Sequence, residues 1–329
     1  MIDLSLNYLG LRLKNPILIA SCGLTDSVKK IEYLESKGAA AVVLKSLFEE
    51  EIIIEMEEAG HSMTNRHFVF PETLDYMDSV GKKDMLQNYL DLIREAKSAV
   101  QIPIIASINC VSSQKWIYFA KEIEDAGADA LELNLFFLPS DKSRGEKEMA
   151  EITNEIITKV KSRITIPLSL KISPYQSNLM NYIENIDKRG INGITLFNRS
   201  WSPDIDIHNF VITSGYVLST PSNMGNTLRW VSMTSSKVKC DIAATTGVHD
   251  GEGVIKQLLA GAKVVQLAST LYINGPSYLT EIVGFLINWM TDNEFESPDD
   301  FRGRMSQANA GNPASWERVQ FMKHFRNFM

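Results

Sequence analysis

The stretch "DAGADALELNL", residues 125–135, is the part of the sequence that decides the fold. Gly127 suits the end of a helix, because glycine readily adopts the left-handed conformation that commonly closes one. The apolar run that follows suits a strand buried on both faces of a parallel sheet. Together they predict the second half of a β-α-β unit. The same pattern recurs in "SKGAAAVVLKS" (36–46), "KRGINGITLFN" (188–198) and "LAGAKVVQLAST" (259–270).

Eight strands of this kind can be counted along the chain. They are predicted at 16–21, 41–46, 103–109, 130–136, 167–173, 193–198, 241–247 and 264–270. Helical segments are predicted between them, near 27–37, 86–99, 113–126, 146–162, 177–189, 226–236, 251–260 and 276–291. Eight β/α pairs are the number that closes a barrel with its helices outside. The sequence therefore predicts an α/β fold of the TIM (β/α)8 barrel type.

Three kinds of segment lie outside this repeat. Residues 1–15 alternate polar and apolar side chains and predict an N-terminal hairpin that closes the bottom of the barrel. The connections 47–85, after strand two, and 199–225, after strand six, are unusually long. Both follow the strand ends where TIM barrels hold their active sites, so we expect lids there. The residues after the last helix should pack outside the barrel or against a partner, and 1–329 is predicted to be a single domain.

Composition narrows the class of function. The chain has 329 residues, 44% of them hydrophobic, and a net charge of −7 with no block of basic residues. Nucleic acid and anionic membranes are therefore not expected partners, and small-molecule chemistry is favoured. No signal peptide or membrane-spanning run is apparent, which predicts a cytoplasmic protein. The three cysteines are far apart and the histidines form no cluster, so neither a disulfide framework nor a metal site is indicated.

Polar side chains are predicted to point into the barrel near the ends of several strands. Because side chains alternate along a strand, Ser169, Lys171 and Ser173 share one face of strand five, and the apolar face packs on helices. Lys171 must then point inward. The same reasoning places five more polar residues inward: Lys45, Ser107, Asn109, Asn134 and Asn198.

Two inward lysines require a negative or electron-rich partner, because burying an unpaired ammonium is costly. For a single lysine, a structural salt bridge such as Lys171 with Glu132 remains an alternative. Lysines together with amide side chains around one cavity are what a heterocyclic ligand with carbonyls and ring nitrogens requires. The small residues and hydroxyls of "ATTGVHDGEG" (244–253) and "LASTLYING" (267–275) follow strands seven and eight, where TIM barrels commonly bind phosphate. Ordinary turn chemistry is the alternative there, and a phosphorylated cofactor is favoured.

These residues resemble the dihydroorotate dehydrogenase family, flavin-dependent TIM barrels related to the pyrimidine-reducing domain of dihydropyrimidine dehydrogenase. The likeness covers nearly the whole chain and depends on the order and spacing of six motifs. They are "LKNPILIASCGLT" (13–25), "VVLKS" (42–46), "LELN" (131–134), "PLSLKIS" (167–173), "ITLFN" (194–198) and "TTGVHDGEGVIKQLLAGAKVVQLASTLY" (245–272).

The resemblance implies FMN as the cofactor, bound against the strand ends. It implies Ala20 and Ser21 beside the flavin ring, and Lys171 near the ring edge that becomes negative on reduction. The predicted cofactor-binding residues are Ala20, Ser21, Lys45, Ser46, Asn109, Asn134, Lys171, Asn198, Ser219, Thr246, Gly247, Ala268 and Ser269. The predicted catalytic residues are Lys45, Asn134, Lys171 and Ser140. His249 and Asp250 are expected to begin a helix.

The chain departs from the family pattern in the loop after strand four. The family has Asn-x-Ser-Cys-Pro-Asn or similar there, and its cysteine, or a serine from another loop, removes a proton while hydride passes to the flavin. Here Asn134 is followed by "LFFLPS" (135–140), and neither Phe137 nor Leu138 can accept a proton. Ser140 is the substitute nearest in sequence, and Cys22 and Cys110 are others. Thr246-Gly247 and Ala268-Ser269 also replace the family's Gly-Gly and Gly-Thr.

The sequence thus predicts an FMN-dependent oxidoreductase of the dihydroorotate dehydrogenase type, acting on dihydroorotate or a related small cyclic or unsaturated substrate of pyrimidine metabolism. A homodimer is a possible assembly. One alternative is a flavin-binding protein without dihydroorotate turnover, since the base is missing from its usual place. Another is a lyase or aldolase in which Lys171 forms a Schiff base with a carbonyl substrate.

Overall fold

Eight parallel strands form a closed ring in the computed structural model of the protein. The structure describes residues 2–50, 85–109, 115–136, 138–140, 142, 145–200 and 202–317. The barrel strands, numbered along the chain after the two hairpin strands β1 (Leu6–Tyr8) and β2 (Leu11–Leu13), are β3 (Ile17–Ile19), β4 (Ala41–Val43), β6 (Ile104–Asn109), β7 (Ala130–Leu135), β8 (Leu168–Ile172), β9 (Gly193–Leu196), β12 (Asp241–Thr245) and β13 (Val264–Leu267). Strand β5 (Leu47–Phe48) continues the second position of the ring beside β6. Parallel pairing of β13 with β3 and of β4 with β6 closes the barrel.

The helices surround the ring of strands. They are α1 (Val28–Ser36), α2 (Met85–Ala99), α3 (Lys115–Asp125), α4 (Glu146–Lys161), α5 (Leu179–Asp187), α6 (Met224–Thr234), α7 (Gly251–Ala260), α8 (Ser269–Asn274), α9 (Tyr278–Asp292) and α10 (Ala314–Glu317). The predicted TIM barrel is confirmed, and the predicted strands and helices fall on these elements. The correction is at strand two, where β4 ends at Val43, so Lys45 and Ser46 lie beyond it rather than on it.

The core forms two layers on either side of the strands. Outward strand residues such as Ile19, Leu133 and Leu170 join the helices in one large apolar cluster. Inward residues at the lower end of the barrel, among them Leu18 and Val43, form a second cluster. Burial on both faces explains why the strands read as continuous apolar runs.

The N-terminal hairpin supplies the floor of the second cluster, as the sequence predicts. Strands β1 and β2 pair antiparallel with Leu6 opposite Leu13. Leu6, Tyr8 and Leu9 are all at most 5% exposed and pack on the inward strand residues. The backbone N–H of Leu9 donates to the Asp241 carboxylate at 2.8 Å, which attaches the turn to β12.

A polar layer lies above this floor. Glu132 on β7 is 1% exposed, and its Oε2 accepts hydrogen bonds from Thr195 Oγ1 at 2.8 Å and from Gln266 Nε2 at 2.9 Å. Three strands are therefore joined across the barrel interior by one carboxylate.

The connection after β9 carries its own secondary structure. Strands β10 (Pro203–Asp206) and β11 (Val211–Ser214) form an antiparallel hairpin, and a 3-10 turn at Pro221–Asn223 leads into α6. The hairpin is largely exposed, and Phe210 near its tip is 88% exposed. The connection therefore has the length and the place expected of a lid. Of the connection predicted at 47–85, residues 51–84 lie outside the described part of the chain.

The segment after α9 packs on the outside of the barrel, as expected. Phe301 is fully buried against Trp289 and Phe295. Backbone N–H groups of Gly303 and Met305 donate to the carbonyls of the last turn of α7. In the parts of the chain given above, no helix combines the length and apolar character needed to cross a membrane, and no group of three His, Cys, Asp or Glu side chains could hold a metal ion.

The contact between Gly193 and the hairpin provides a test of the plug. A side chain at Gly193, on the inward face of β9, would overlap Leu9 and approach the Ser169 hydroxyl. We expect Gly193→Val to lower the free energy of unfolding by about 1–3 kcal/mol, because overpacking displaces the hairpin. Urea unfolding measures this. The control is Gly284→Ala on α9, where a new methyl group meets no neighbour and should be neutral or stabilising. Equal effects of the two variants would contradict the plug.

Candidate active site

A cavity of about 380 Å³ opens at the carboxyl ends of the barrel strands. Its walls come from the ends of β3, β8, β9, β12 and β13, and from residues 216–219 of the connection after β9. The volume lies within the range of small-molecule sites. Nine of the predicted cofactor-binding residues line it: Ala20, Ser21, Lys171, Asn198, Ser219, Thr246, Gly247, Ala268 and Ser269.

Lys171 is one of the charged residues that line this cavity. It lies on β8 in register with Asn134 of β7 and Thr195 of β9, and its side chain is 8% exposed. Within the described ranges its ammonium makes no ion pair, and Glu132 is bonded to Thr195 and Gln266 instead. The alternative of a structural Lys171–Glu132 salt bridge is therefore not found. A buried ammonium without a partner is costly, so an anionic ligand would stabilise it.

Two asparagines lie beside this lysine. Asn198 Nδ2 donates to Asn134 Oδ1 at 2.6 Å, which joins the ends of β7 and β9. The backbone N–H of Asn198 also donates to the Ile172 carbonyl at 2.8 Å, so the sheet pairing continues to this residue. Asn198 lines the cavity, and Asn134 does not line it but is hydrogen-bonded to Asn198. This bond leaves the Nδ2 group of Asn134 and the Oδ1 atom of Asn198 for a ligand.

A chain of serine hydroxyls supports the opposite wall. Ser21 Oγ lies 3.1 Å from Ser46 Oγ and accepts from the Ser46 backbone N–H at 2.9 Å. Ser46 Oγ lies 2.8 Å from Ser107 Oγ, which is fully buried. Each serine follows or belongs to a different barrel strand, so these hydrogen bonds hold the three strands together near the cavity. Ser21 lines the cavity, and Ser46 positions it.

The loops after β12 and β13 meet at the other end of the cavity. Thr246 and Gly247 both adopt left-handed backbone, with φ of 74° and 81°. The Gly247 N–H donates to Ser219 Oγ at 3.3 Å, and the Ser219 N–H donates to Ser269 Oγ at 3.0 Å. A side chain at Gly247 would overlap the backbone of Met224. Backbone N–H groups in such turns form concave anion sites, which suits a phosphate group.

His249 joins this corner, which the sequence did not predict. Its Nε2 lies 3.2 Å from Ser219 Oγ. Burial lowers the pKa of His249 below its usual value, so the ring is neutral at pH 7. Asp250 does begin a helix, as expected: its carboxylate accepts from the Gly253 N–H at 2.7 Å and caps α7.

Besides Ser46 and Asn134, three further predicted residues are not among those that line the cavity. Lys45 is half-buried just beyond β4, and Asn109 ends β6. Ser140 is exposed, and its hydroxyl donates to the Leu138 carbonyl at 3.5 Å. Cys110, one of the substitute bases considered from the sequence, lies outside the described residues.

The cavity also contains residues that sequence reasoning missed. Arg199 is one of them, and it follows Asn198 directly. The sequence signal that could have identified Arg199 was its position next to Asn198, which was predicted to point inward. Tyr272 on α8 contacts the Cys22 thiol, and burial raises the pKa of Tyr272 to about 12. Burial also raises the pKa of Cys22, which is not a lining residue. Neither group is therefore a ready base at neutral pH.

The order of these elements and residues agrees with a family comparison. A family model described as dihydroorotate dehydrogenase matches residues 3–290. The chain belongs to the dihydroorotate dehydrogenase family. The predicted resemblance is thereby confirmed over nearly the whole barrel, including every strand that lines the cavity.

Named members of the dihydroorotate dehydrogenase family align over most of this chain. The catalytic subunit of dihydroorotate dehydrogenase B (NAD(+)) from Thermoplasma acidophilum is 28% identical over 311 residues, covering 92% of this chain and 99% of that protein. The same subunit from Petrotoga mobilis is 25% identical over 312 residues, covering 92% and 99%. That from Bacillus pumilus is 26% identical over 309 residues, covering 90% and 94%. The alignments therefore cover nearly the full length of each of these relatives.

Thr246 offers a test of backbone strain in the turn after β12. A β-branched residue in left-handed backbone is unfavourable, and the dihydroorotate dehydrogenase pattern has glycine here. We expect Thr246→Gly to raise the free energy of unfolding by about 1 kcal/mol, measured by urea denaturation. Thr213→Gly on the extended strand β11 is the control and should lower it. A loss of stability in Thr246→Gly would show that the turn is not strained.

Proposed function

We propose that this protein is an FMN-dependent oxidoreductase of the dihydroorotate dehydrogenase type, acting on dihydroorotate or a related small cyclic or unsaturated compound. The observation that carries the proposal is the buried ammonium of Lys171, which has no ion pair among the described residues, at a cavity whose described lining contains no Asp or Glu. Such a cavity favours a ligand that is negative or becomes negative during the reaction. Family membership supports the same conclusion.

The lining residues fit FMN at both ends of the cavity. Ala20 and Ser21 are small and leave room beside Lys171 for a flat ring. Thr246, Gly247 and Ser269 would hold the phosphate through backbone N–H and hydroxyl groups, with Ser219 closing the corner. The remaining predicted cofactor residues, including Lys45 and Asn109, stay predictions.

When bound, FMN supplies a two-electron acceptor for a hydride taken from the substrate. The residues of the chain would then do three things. Lys171 supplies fixed positive charge that stabilises an anion in a site of low dielectric. Asn134 and Asn198 orient polar groups of the ligand through their remaining amide donors and acceptors. Residues 216–219 of the connection after β9 would contact the bound ligand, because they form one wall of the cavity.

The proton-transfer group is the part of the mechanism in which this chain differs from the family pattern. Leu138, at one of the two positions where a base is expected, is 58% exposed and cannot accept a proton. We therefore keep the substrate class wider than dihydroorotate alone. A flavin protein without dihydroorotate turnover is the second candidate, and the same replacement favours it. The single domain over 1–329, the homodimer and the cytoplasmic location stay predictions.

FMN binding and the role of Lys171 can be tested together. Purified protein should be yellow and bind FMN noncovalently, measured by flavin absorbance and by quenching of flavin fluorescence. Lys171→Met should weaken FMN binding by at least roughly tenfold, or lower the reduction potential of bound FMN, because it removes the stabilising charge. Lys29→Met, an exposed change of the same kind, should have no effect. Colourless protein that ignores added FMN would remove the proposal.

Ser140 can be tested as the proton acceptor. If it takes this role, Ser140→Ala should slow anaerobic reduction of bound FMN by dihydroorotate by about 10²–10⁴-fold, the usual size of a general-base contribution. FMN affinity should not change. Ser162→Ala, at the end of α4, is the control. An unchanged reduction rate in Ser140→Ala would assign proton removal to another group.

A further inference from the structure

Arg199 stands at the mouth of the cavity in a fixed place. It is the first residue after Asn198, which lies beyond the end of β9 but whose backbone N–H still donates to the Ile172 carbonyl of β8. Asn198 in turn contacts Asn134, which is in register with Lys171. Arg199 is half-buried and lines the cavity. The guanidinium therefore belongs to the same wall as the two asparagines and the buried lysine.

The guanidinium is held by neutral groups only. Nη1 donates to the Val217 carbonyl and Nη2 to the Tyr216 carbonyl, so the side chain is anchored to the connection after β9. Backbone carbonyls orient a cation but do not neutralise its charge. In the part of the chain that the structure describes, no carboxylate pairs with Arg199. A guanidinium has five N–H donors, so donors remain for a ligand.

The charge of the lining favours a second anion. The chain has 40 acidic residues and 33 basic residues, yet the described lining of the cavity has two cations and no carboxylate. A concave site lined by one sign of charge concentrates ligands of the opposite sign. The flavin proposed above accounts for Lys171. Arg199 has no partner in that account.

We propose that Arg199 is a specificity-determining residue that binds the carboxylate of the substrate. The inference rests on the proposed function, because the flavin is taken as the partner of Lys171. A guanidinium suits a carboxylate better than a neutral amide or imide, since its planar donors can form two parallel charge-assisted hydrogen bonds. Phe197, Tyr216 and Leu218 give this end of the cavity flat or apolar walls, which suit the rest of such a substrate.

The phosphate corner gives Arg199 no better role. Gly247, Ser219 and Ser269 already form a connected set of donors and hydroxyls there. No hydrogen bond joins Arg199 to that set among the described residues. Its anchor at Tyr216 and Val217 keeps it on the side of β9. A phosphate contact is nevertheless a distinct outcome of the experiment below.

The experiment compares acids with neutral partners on the FMN-loaded protein. Orotate and uracil, fumarate and fumaramide, and benzoate and benzamide are titrated while the visible flavin spectrum is followed. The variants are Arg199→Gln, which removes the charge, and Arg199→Lys, which keeps charge but not the planar fork. Arg229→Gln, an exposed change on α6, is the matched control. FMN and riboflavin affinities are measured for every variant.

We expect the wild type to bind at least one acid more tightly than its neutral partner. Arg199→Gln should weaken that acid by roughly tenfold to a hundredfold, leave the neutral partner unchanged, and leave FMN affinity unchanged. Arg199→Lys should recover part of the loss, and Arg229→Gln should behave as wild type.

Three results would overturn the inference while FMN still binds. They are an acid affinity unchanged in Arg199→Gln, a wild type that prefers no acid over its neutral partner, and a loss of FMN affinity without loss of acid preference. The last would assign Arg199 to the cofactor phosphate, especially if riboflavin binding is unaffected. A wild type that binds no FMN overturns the proposed function before any acid is added, so the two failures are distinguishable.

Discussion

The buried ammonium of Lys171 is the feature on which the cavity depends. It lies on the inward face of β8, between residues of β7 and β9, and the inward carboxyl group of Glu132 is bonded to Thr195. A charge in such a place is tolerated because the cavity above it can hold a compensating ligand. The same property therefore affects stability and function. Burial of the Lys171 ammonium costs free energy when no ligand is bound, and it strengthens the attraction for a negative ligand.

The barrel interior supports this cation in layers. The hairpin around Leu9 fills the bottom with apolar side chains, and Glu132 with Thr195 and Gln266 forms a polar layer above it. Glu132 accepts both of these hydrogen bonds through Oε2, and no ion pair joins it to Lys171 among the described residues. Arg199 repeats the principle at the mouth, where carbonyl groups orient a cation and leave its charge for a ligand.

The connections between strands carry much of the individual character of the site. The loop after β7 is apolar where the family pattern has a base. The connection after β9 contributes an anchored arginine and an exposed hairpin beside the cavity. The barrel itself keeps the family order of strands. This division is expected, because the strands build the core while the loops at their carboxyl ends decide the chemistry.

The sequence by itself determined the barrel, the hairpin and nine of the residues that line the cavity. The apolar runs and helix-ending glycines are local signals, and the alternation of side chains along β8 was enough to turn Lys171 inward. Tertiary structure alone decided which partners these residues have. That Glu132 bonds Thr195 and Gln266, that Arg199 is held by Tyr216 and Val217, and that His249 reaches Ser219 are contacts between segments 17 to 134 residues apart. Such pairings follow from how the closed sheet brings strand ends together, and no local pattern along the chain specifies them.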